Sequence, residues 1–256
     1  MRSMICLSFV VLLLTACKTQ TELIKNKECV GCNLSGANLQ GAELSGANLV
    51  YSNLTRANLS RANLSGAKLS NPPSQFRSAS DVTILIEANL SDANLSQAEI
   101  YDTSLKGANL QGANLNQADL KNADLSETNL NNANLQNANL RGANIRNAKL
   151  QNADLSGAVM VSAALHNSDL SNAKLNKVQF DSGSLLGANL SGADLSYADL
   201  KAVDLRTVNW QKANLSHADL KNAGLEGPYQ PDRDFVGAIL CNTIMPNGQI
   251  ENRDCS

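Results

Sequence analysis

The stretch from Cys32 to Leu49, CNLSGANLQGAELSGANL, rewrites nearly the same five letters from end to end. Each unit is built on one large apolar residue, here called position i. It falls at every fifth residue from Leu34 to Leu69 and again from Leu90 to Leu225. Of these 36 positions 31 are Leu and the others are Ile100, Ile145, Met160, Phe180 and Trp210, so shape can vary but polarity does not. Position i−2 is small, Ala in 27 of the 36, which gives every unit one large and one small apolar residue. Position i−1 is mostly Asn or Asp, and i+1 and i+2 carry Ser, Gln, Gly, Asn, Lys and Arg.

A period of five matches neither regular element. On an α-helix, successive i residues would lie about 140° apart and never form a stripe. In a flat strand i−2 and i share a face, but the next small residue, at i+3, points to the other. Both sets face inward only if the chain turns a corner in every unit. Four corners close a square coil of twenty residues, with i and i−2 inside. Stacked at the strand spacing, about nine coils make a rod of roughly 43 Å.

The core ladder then includes Leu34, Leu39, Leu90, Leu110, Leu135, Leu155, Phe180 and Trp210. Each buried Leu contributes about 1.5–3 kcal/mol. Met160 and Phe180, twenty residues apart, share a face in adjacent coils; Gly183 leaves room for Phe180, and Val203 and Val208 flank Trp210. Inward positions read as core variation rather than as a cofactor box.

This five-residue signature resembles the pentapeptide-repeat family. The resemblance implies an all-β fold, a right-handed quadrilateral β-helix. The first run covers 32–70 and the second 83–227, and the phase slips by one residue between Leu69 and Leu85. The slip brackets NPPSQFRSAS, Asn71 to Ser80, whose consecutive prolines cannot donate to a ladder. A loop insertion is expected over 71–82, either a recognition loop on a rigid scaffold or a tolerated insertion.

The ends differ from the repeats. Met1-Arg2 followed by the apolar run Ile5 to Leu14 is too short to span a bilayer and reads as a signal peptide over 1–16. Leu14-Thr15-Ala16-Cys17 resembles the bacterial lipoprotein box, in which the Cys becomes the lipidated first residue. Ordinary cleavage near Ala16 is the alternative, and Leu14 is a poor small residue for it. The resemblance implies a membrane anchor at Cys17 and a lipidated N-terminal segment and cap over 17–31. Lys18 after that Cys is compatible with the outer membrane, where the source has one.

Four further cysteines remain in the exported chain. Cys29 and Cys32 stand at the start of the rod, Cys241 and Cys255 past its end, too far apart for a bridge, which needs α-carbons within about 7 Å. Local pairing, Cys29 with Cys32 and Cys241 with Cys255, is what survives. Cys29-x-x-Cys32 could also be a redox pair, but its inward positions favour a structural staple in an exported chain. The tail from 228 to 256 looks like the ending of many exported members of the family. Phe235, Leu240, Met245, Ile250 and Cys255 keep the phase, so the tail is expected to fold over the last coil as a cap.

Chemistry is sparse. His166 and His217 fall at outer positions without metal-ligand spacing, and no phosphate loop, zinc-protease motif or nucleophile elbow occurs. No cofactor, metal or catalytic residue is expected, and an enzyme is not. The charge is −2 from 21 basic and 23 acidic residues, well mixed, which argues against nucleic acid as a partner. The expected function is a structural or interaction rod in the cell envelope, at the periplasmic face or outer membrane of a Gram-negative source. It would be membrane-tethered through Cys17, offer polar faces to a protein partner, and have scope for a homodimer through the rod ends. The alternative carried by the family resemblance is a DNA mimic that binds DNA gyrase, for which recurrent Asp at i−1 is the only sign and the diluted charge a poor fit.

The phase assignment predicts that Leu135→Lys lowers stability severely, by several kcal/mol, while Gln136→Lys is nearly silent. Equal thermal shifts for the two would sink the phase.

Overall fold

A computed structural model describes residues 20–70, 82–227, 229–230 and 234–255. Within them i−1 residues pair as parallel bridges at a separation of twenty, such as Asn33 with Asn53, Asn38 with Asn58, Glu43 with Asn63 and Glu28 with Asn48. These four pairings start four columns that run the length of the protein, one per side of the coil. Leu at i and the small residue at i−2 lie buried except near the two ends, where Cys32, Ala37, Ala42, Val208 and Leu225 are partly exposed, and Leu34, Leu39, Leu90, Leu110, Leu135, Leu155, Phe180 and Trp210 all lie in one continuous core.

Every backbone N–H of a repeat can be traced. In Ala93–Gln97 the Leu95 and Gln97 N–H groups donate forward to the carbonyls of Asn114 (2.7 Å) and Asn116 (2.9 Å). Asn94 N–H donates back to the Ala62 carbonyl (2.9 Å), and Ala93 N–H closes the corner on the Leu90 carbonyl (3.1 Å). The fifth, on Ser96, has no backbone partner in this scheme and is taken by Asn94 Oδ1 at 3.2 Å. Asn and Asp at i−1 are therefore local acceptors for the one N–H that the ladder leaves over. Reading i−1 only as an outward polar position misses this role.

Position i+2 has an equally specific task. It is the third residue of each corner and takes φ near +60°, as in Gln97 (58°), Asn132 (59°) and Gly142 (65°). A side chain there costs about 1–2 kcal/mol, least for Gly and Asn, which explains their frequency in this column. Where Ser or Thr replaces Ala at i−2, the buried hydroxyl donates to a main-chain carbonyl: Thr103 to Leu69 (2.7 Å), Ser168 to Ile145 (2.7 Å) and Thr243 to Leu215 (2.8 Å).

The ladder crosses the interruption without losing register. Asn53 pairs with Ile84 and Lys68 with Glu99, at a separation of 31 in place of twenty. The eleven extra residues are two repeats plus one, which is the one-residue slip. The loop expected over 71–82 lies outside the described residues except for Val82. A second, in-phase insertion of five precedes the last coil: Asn214 pairs with Ile239 and Asp219 with Ile244. This seats Phe235 over Trp210, ring centroids 5.5 Å apart.

Both ends are closed. At the start, a helix over residues 20–26 (α1) buries Leu23 against the first coil. At the finish, β1 (Thr243–Ile244) pairs antiparallel with β2 (Ile250–Glu251) through a reversal at Gly248, φ 82°. The five-residue phase expected to run on to Ile250 and Cys255 stops at Met245. The hairpin turns the strand back on itself, so Ile250 is 64% exposed where an inward position was expected.

Phe180 stands against a corner that only Gly183 permits. A Cβ on Gly183 would lie 2.5 Å from Phe180 Cε2 and 2.9 Å from the Ala163 carbonyl oxygen. Gly183→Ala is expected to cost about 1–3 kcal/mol through this clash, and Phe180→Leu in the same chain should recover most of it. A double-mutant cycle in urea checks this; strict additivity would refute the clash.

Candidate interaction surface

The outer faces are organised by the same i−1 residues. Asparagine amides stack coil on coil, each Nδ2 donating to the Oδ1 beneath it. One column runs Asn129 to Asn109 (3.1 Å), Asn109 to Asn89 (3.2 Å) and Asn89 to Asn58 (3.4 Å). A neighbouring one runs Asn134 to Asn114 (3.2 Å) and Asn114 to Asn94 (3.2 Å). Because Oδ1 also accepts the i+1 N–H, these amides are largely consumed by the fold. What the faces present to solvent is chiefly the i+1 and i+2 side chains.

Aspartate joins such a column where an amide in the next coil donates to it, as Asn139 does to Asp119 (2.8 Å), Asn144 to Asp124 (2.9 Å), Asn189 to Asp169 (3.1 Å) and Asn214 to Asp194 (3.1 Å). The other i−1 aspartates are held by side chains nearby. Gln136 Nε2 reaches Asp154 at 2.8 Å, Lys201 bridges Asp199 (3.0 Å) and Asp219 (3.2 Å), and Arg206 meets Asp204 at 2.8 Å. The recurrent Asp is thus part of the surface hydrogen bonding. It does not form a bare negative stripe.

Three of these carboxyls sit below the usual carboxylate range. At Asp154 burial works to raise the value, but hydrogen bonds from Ser156 and Gln136 and the charge of Lys174 outweigh it. At Asp169 burial is likewise outweighed, by hydrogen bonds from Ser171, Gln151 and Asn189. At Asp204 the Arg206 side-chain hydrogen bond is the largest cause, with burial opposing it.

The histidines stand on separate faces. Burial and then the Arg146 charge hold His166 below its usual range, partly opposed by Asp204, and its Nδ1 accepts from Arg146 Nε at 3.3 Å. His217 stacks on the exposed Tyr197 ring, centroids 4.6 Å apart and planes 6° from parallel. Among the described residues no three His, Cys, Asp or Glu side chains converge as a metal site. No helix among them is long and apolar enough to cross a membrane. A recess of about 270 Å³ lies near the last coil, lined by Leu205, Arg206, Thr207, Val208, Leu225, Glu226 and Asp234.

The cysteines form two local bridges, Cys29–Cys32 with α-carbons 5.4 Å apart and Cys241–Cys255 at 4.8 Å. Cys29 is buried and Cys32 partly so, both against the core. Cys17 and the signal segment 1–16 lie outside the described residues.

A stack of square coils with an apolar interior and polar faces defines a class: a repeat solenoid. The pentapeptide-repeat family profile matches residues 28–71 and, in overlapping segments, 83–227, and the chain belongs to that family. Its members fold as right-handed quadrilateral β-helices and are generally non-enzymatic structural or interaction proteins. No curated protein matches the chain. Among solved structures it is similar to HetL, a pentapeptide repeat protein involved in heterocyst differentiation regulation from the cyanobacterium Nostoc sp. strain PCC 7120. That pair is 29% identical over 95% of this chain and 100% of HetL, with a TM-score of 0.41. It is also similar to QnrB1, a plasmid-mediated fluoroquinolone resistance protein, at 20% identity over 84% of this chain and 92% of QnrB1, with a TM-score of 0.36. The fold rests on the ladder and the family match and not on these superpositions.

The depressed carboxyls carry a pH signature. Their stabilising effect is fully present above the ordinary value of 3.8 and is lost as pH falls through their lowered values. Urea midpoints should therefore decline on acidification below about pH 4. Replacing Asp154, Asp169 and Asp204 together by Asn should flatten that acid limb, and an unchanged limb would count against the assignment.

Proposed function

We propose that the chain is a non-enzymatic interaction rod of about nine coils in the bacterial cell envelope. It is tethered through lipidated Cys17 and presents its polar faces to a protein partner. The observation that carries this reading is the Leu14-Thr15-Ala16-Cys17 box behind a charged start and a short apolar run. Two acyl signals at one residue would hold the rod stably at a membrane surface.

Other features support it. Both cystines suit an oxidising compartment, and no free cysteine occurs among the described residues. The interior is filled by Leu and Ala, and the i−1 carboxylates are engaged by amides, Lys201 and Arg206. Such a surface suits a protein partner better than it imitates a phosphate backbone, which needs dense unneutralised charge.

Intact mass and detergent partition of the wild type beside Cys17→Ser, both made in a bacterial host, test the reading. A diacylglyceryl-sized mass increment with detergent-phase partition, both lost in the variant, is the expected result. An uncleaved, soluble chain in the cytoplasm would overturn the envelope assignment and direct the next assay to DNA gyrase.

A further inference from the structure

Backbone polarity runs one way along the rod. Repeat after repeat, the N–H groups of i and i+2 point to the following coil, as from Leu54 to Ile84 (2.7 Å) and Arg56 to Ile86 (2.9 Å). Only the i−1 N–H points back, as from Asn89 to Ala57 (2.9 Å). The C-terminal face of any stack of coils therefore carries an excess of donors and its N-terminal face an excess of acceptors. Bare edges of this kind are templates for pairing with another chain.

The two ends of this protein are closed by side chains of matching polarity. At the C-terminal end the Asp254 carboxylate accepts the Leu240 N–H at 2.8 Å, and Asn252 Oδ1 accepts the Asn242 N–H at 2.9 Å. Both oxygens take N–H groups at i and i+2, which elsewhere go to the carbonyls of a following coil. The Gln249 carbonyl does the same for Met245 N–H at 2.8 Å. Arg253 Nη2 on the Phe235 carbonyl (2.8 Å) and the Cys241–Cys255 bridge hold this tail in place. At the N-terminal end the chemistry is inverted. Gln20 Nε2 donates to the Asn38 carbonyl and Lys27 Nζ to the Ser45 carbonyl at 2.9 Å, and Leu23 covers the apolar interior.

We propose that these end segments are polarity-matched plugs that hold back head-to-tail stacking, and that a second copy of this chain is the partner a bared end fits. Donors of one C-terminal end would meet acceptors of another N-terminal end, continuing the ladder across the junction. Two C-terminal ends brought together would set excess donors against donors. The contact is heterologous, so rods bared at both ends grow into filaments and do not close as dimers.

Chains beginning at Lys18 contain every described residue and suit the test. One is opened at its C-terminal end by Cys241→Ser, Asn252→Ala, Asp254→Ala and Cys255→Ser, the other at its N-terminal end by Gln20→Ala, Leu23→Ser and Lys27→Ala. In sedimentation velocity each alone should be monomeric, and the mixture should form a one-to-one complex that is lost when wild type replaces either partner. A chain carrying both sets should form species that lengthen with concentration. The shortened chains 28–256 and 18–251 repeat the mixing with the plugs removed outright, folding being checked by far-ultraviolet circular dichroism. A mixture of folded, shortened rods that stays monomeric overturns the proposal, as does a C-terminally opened rod that dimerises with itself.

Discussion

Parallel backbone pairing one residue long, renewed at each side of a twenty-residue coil, is the interaction on which the rest of the structure depends. A strand this short contributes little cooperativity along the chain, so its strength comes from stacking. From Leu34 to Leu205 each i residue sends its N–H to the next coil and carries its side chain into the shared interior. Stability in such a stack is a sum of neighbouring interfaces rather than a property of any single coil. The corner that makes the pairing possible has its own cost, because the residue at i+2 must adopt the left-handed region.

That constraint explains the surface as much as the core. With four N–H groups of a repeat committed to main-chain partners, the i+1 N–H needs a side-chain acceptor, and Asn or Asp at i−1 supplies it. The acceptor is then close enough to its counterpart one coil away for amides to stack. Asp appears where the next coil offers a donor, as Asn139 does above Asp119, or where a nearby Lys, Arg or Gln side chain holds it. A sequence rich in Asp at one register thus acquires a surface whose carboxylates are already engaged. The faces are left polar, regular and only weakly charged.

The ends follow from the ladder's direction. A repeat that donates more forward than it donates back leaves unlike edges, and unlike edges need unlike closures. Asn252 and Asp254 serve at one end, Gln20 and Lys27 at the other. The cystine at Cys241–Cys255 ties the acceptors to the last coil, which short antiparallel strands such as β1 and β2 would hold only marginally alone.

Much of this protein is legible as a string of letters because the side-chain period of five has one geometric solution. Leu34, Leu135 and Trp210 are recognisable as core from register alone, since position i is apolar in every repeat from Leu34 to Leu69 and from Leu90 to Leu225. Pro72-Pro73 marks the interruption for an equally local reason, the missing N–H. The function of i−1 and i+2 is not visible in that way: both read simply as polar, and their tasks depend on the backbone conformation at the corner and on the coil next door. The same holds for Ile250, whose register promised the core until the turn at Gly248 reversed the chain. Sequence by itself determined the period, the inward ladder and the local partners available to each cysteine, because those depend on neighbours along the chain. Only the tertiary structure decided how the ladder is terminated, because the groups that close each end are chosen by which hydrogen bonds the adjacent coil leaves open.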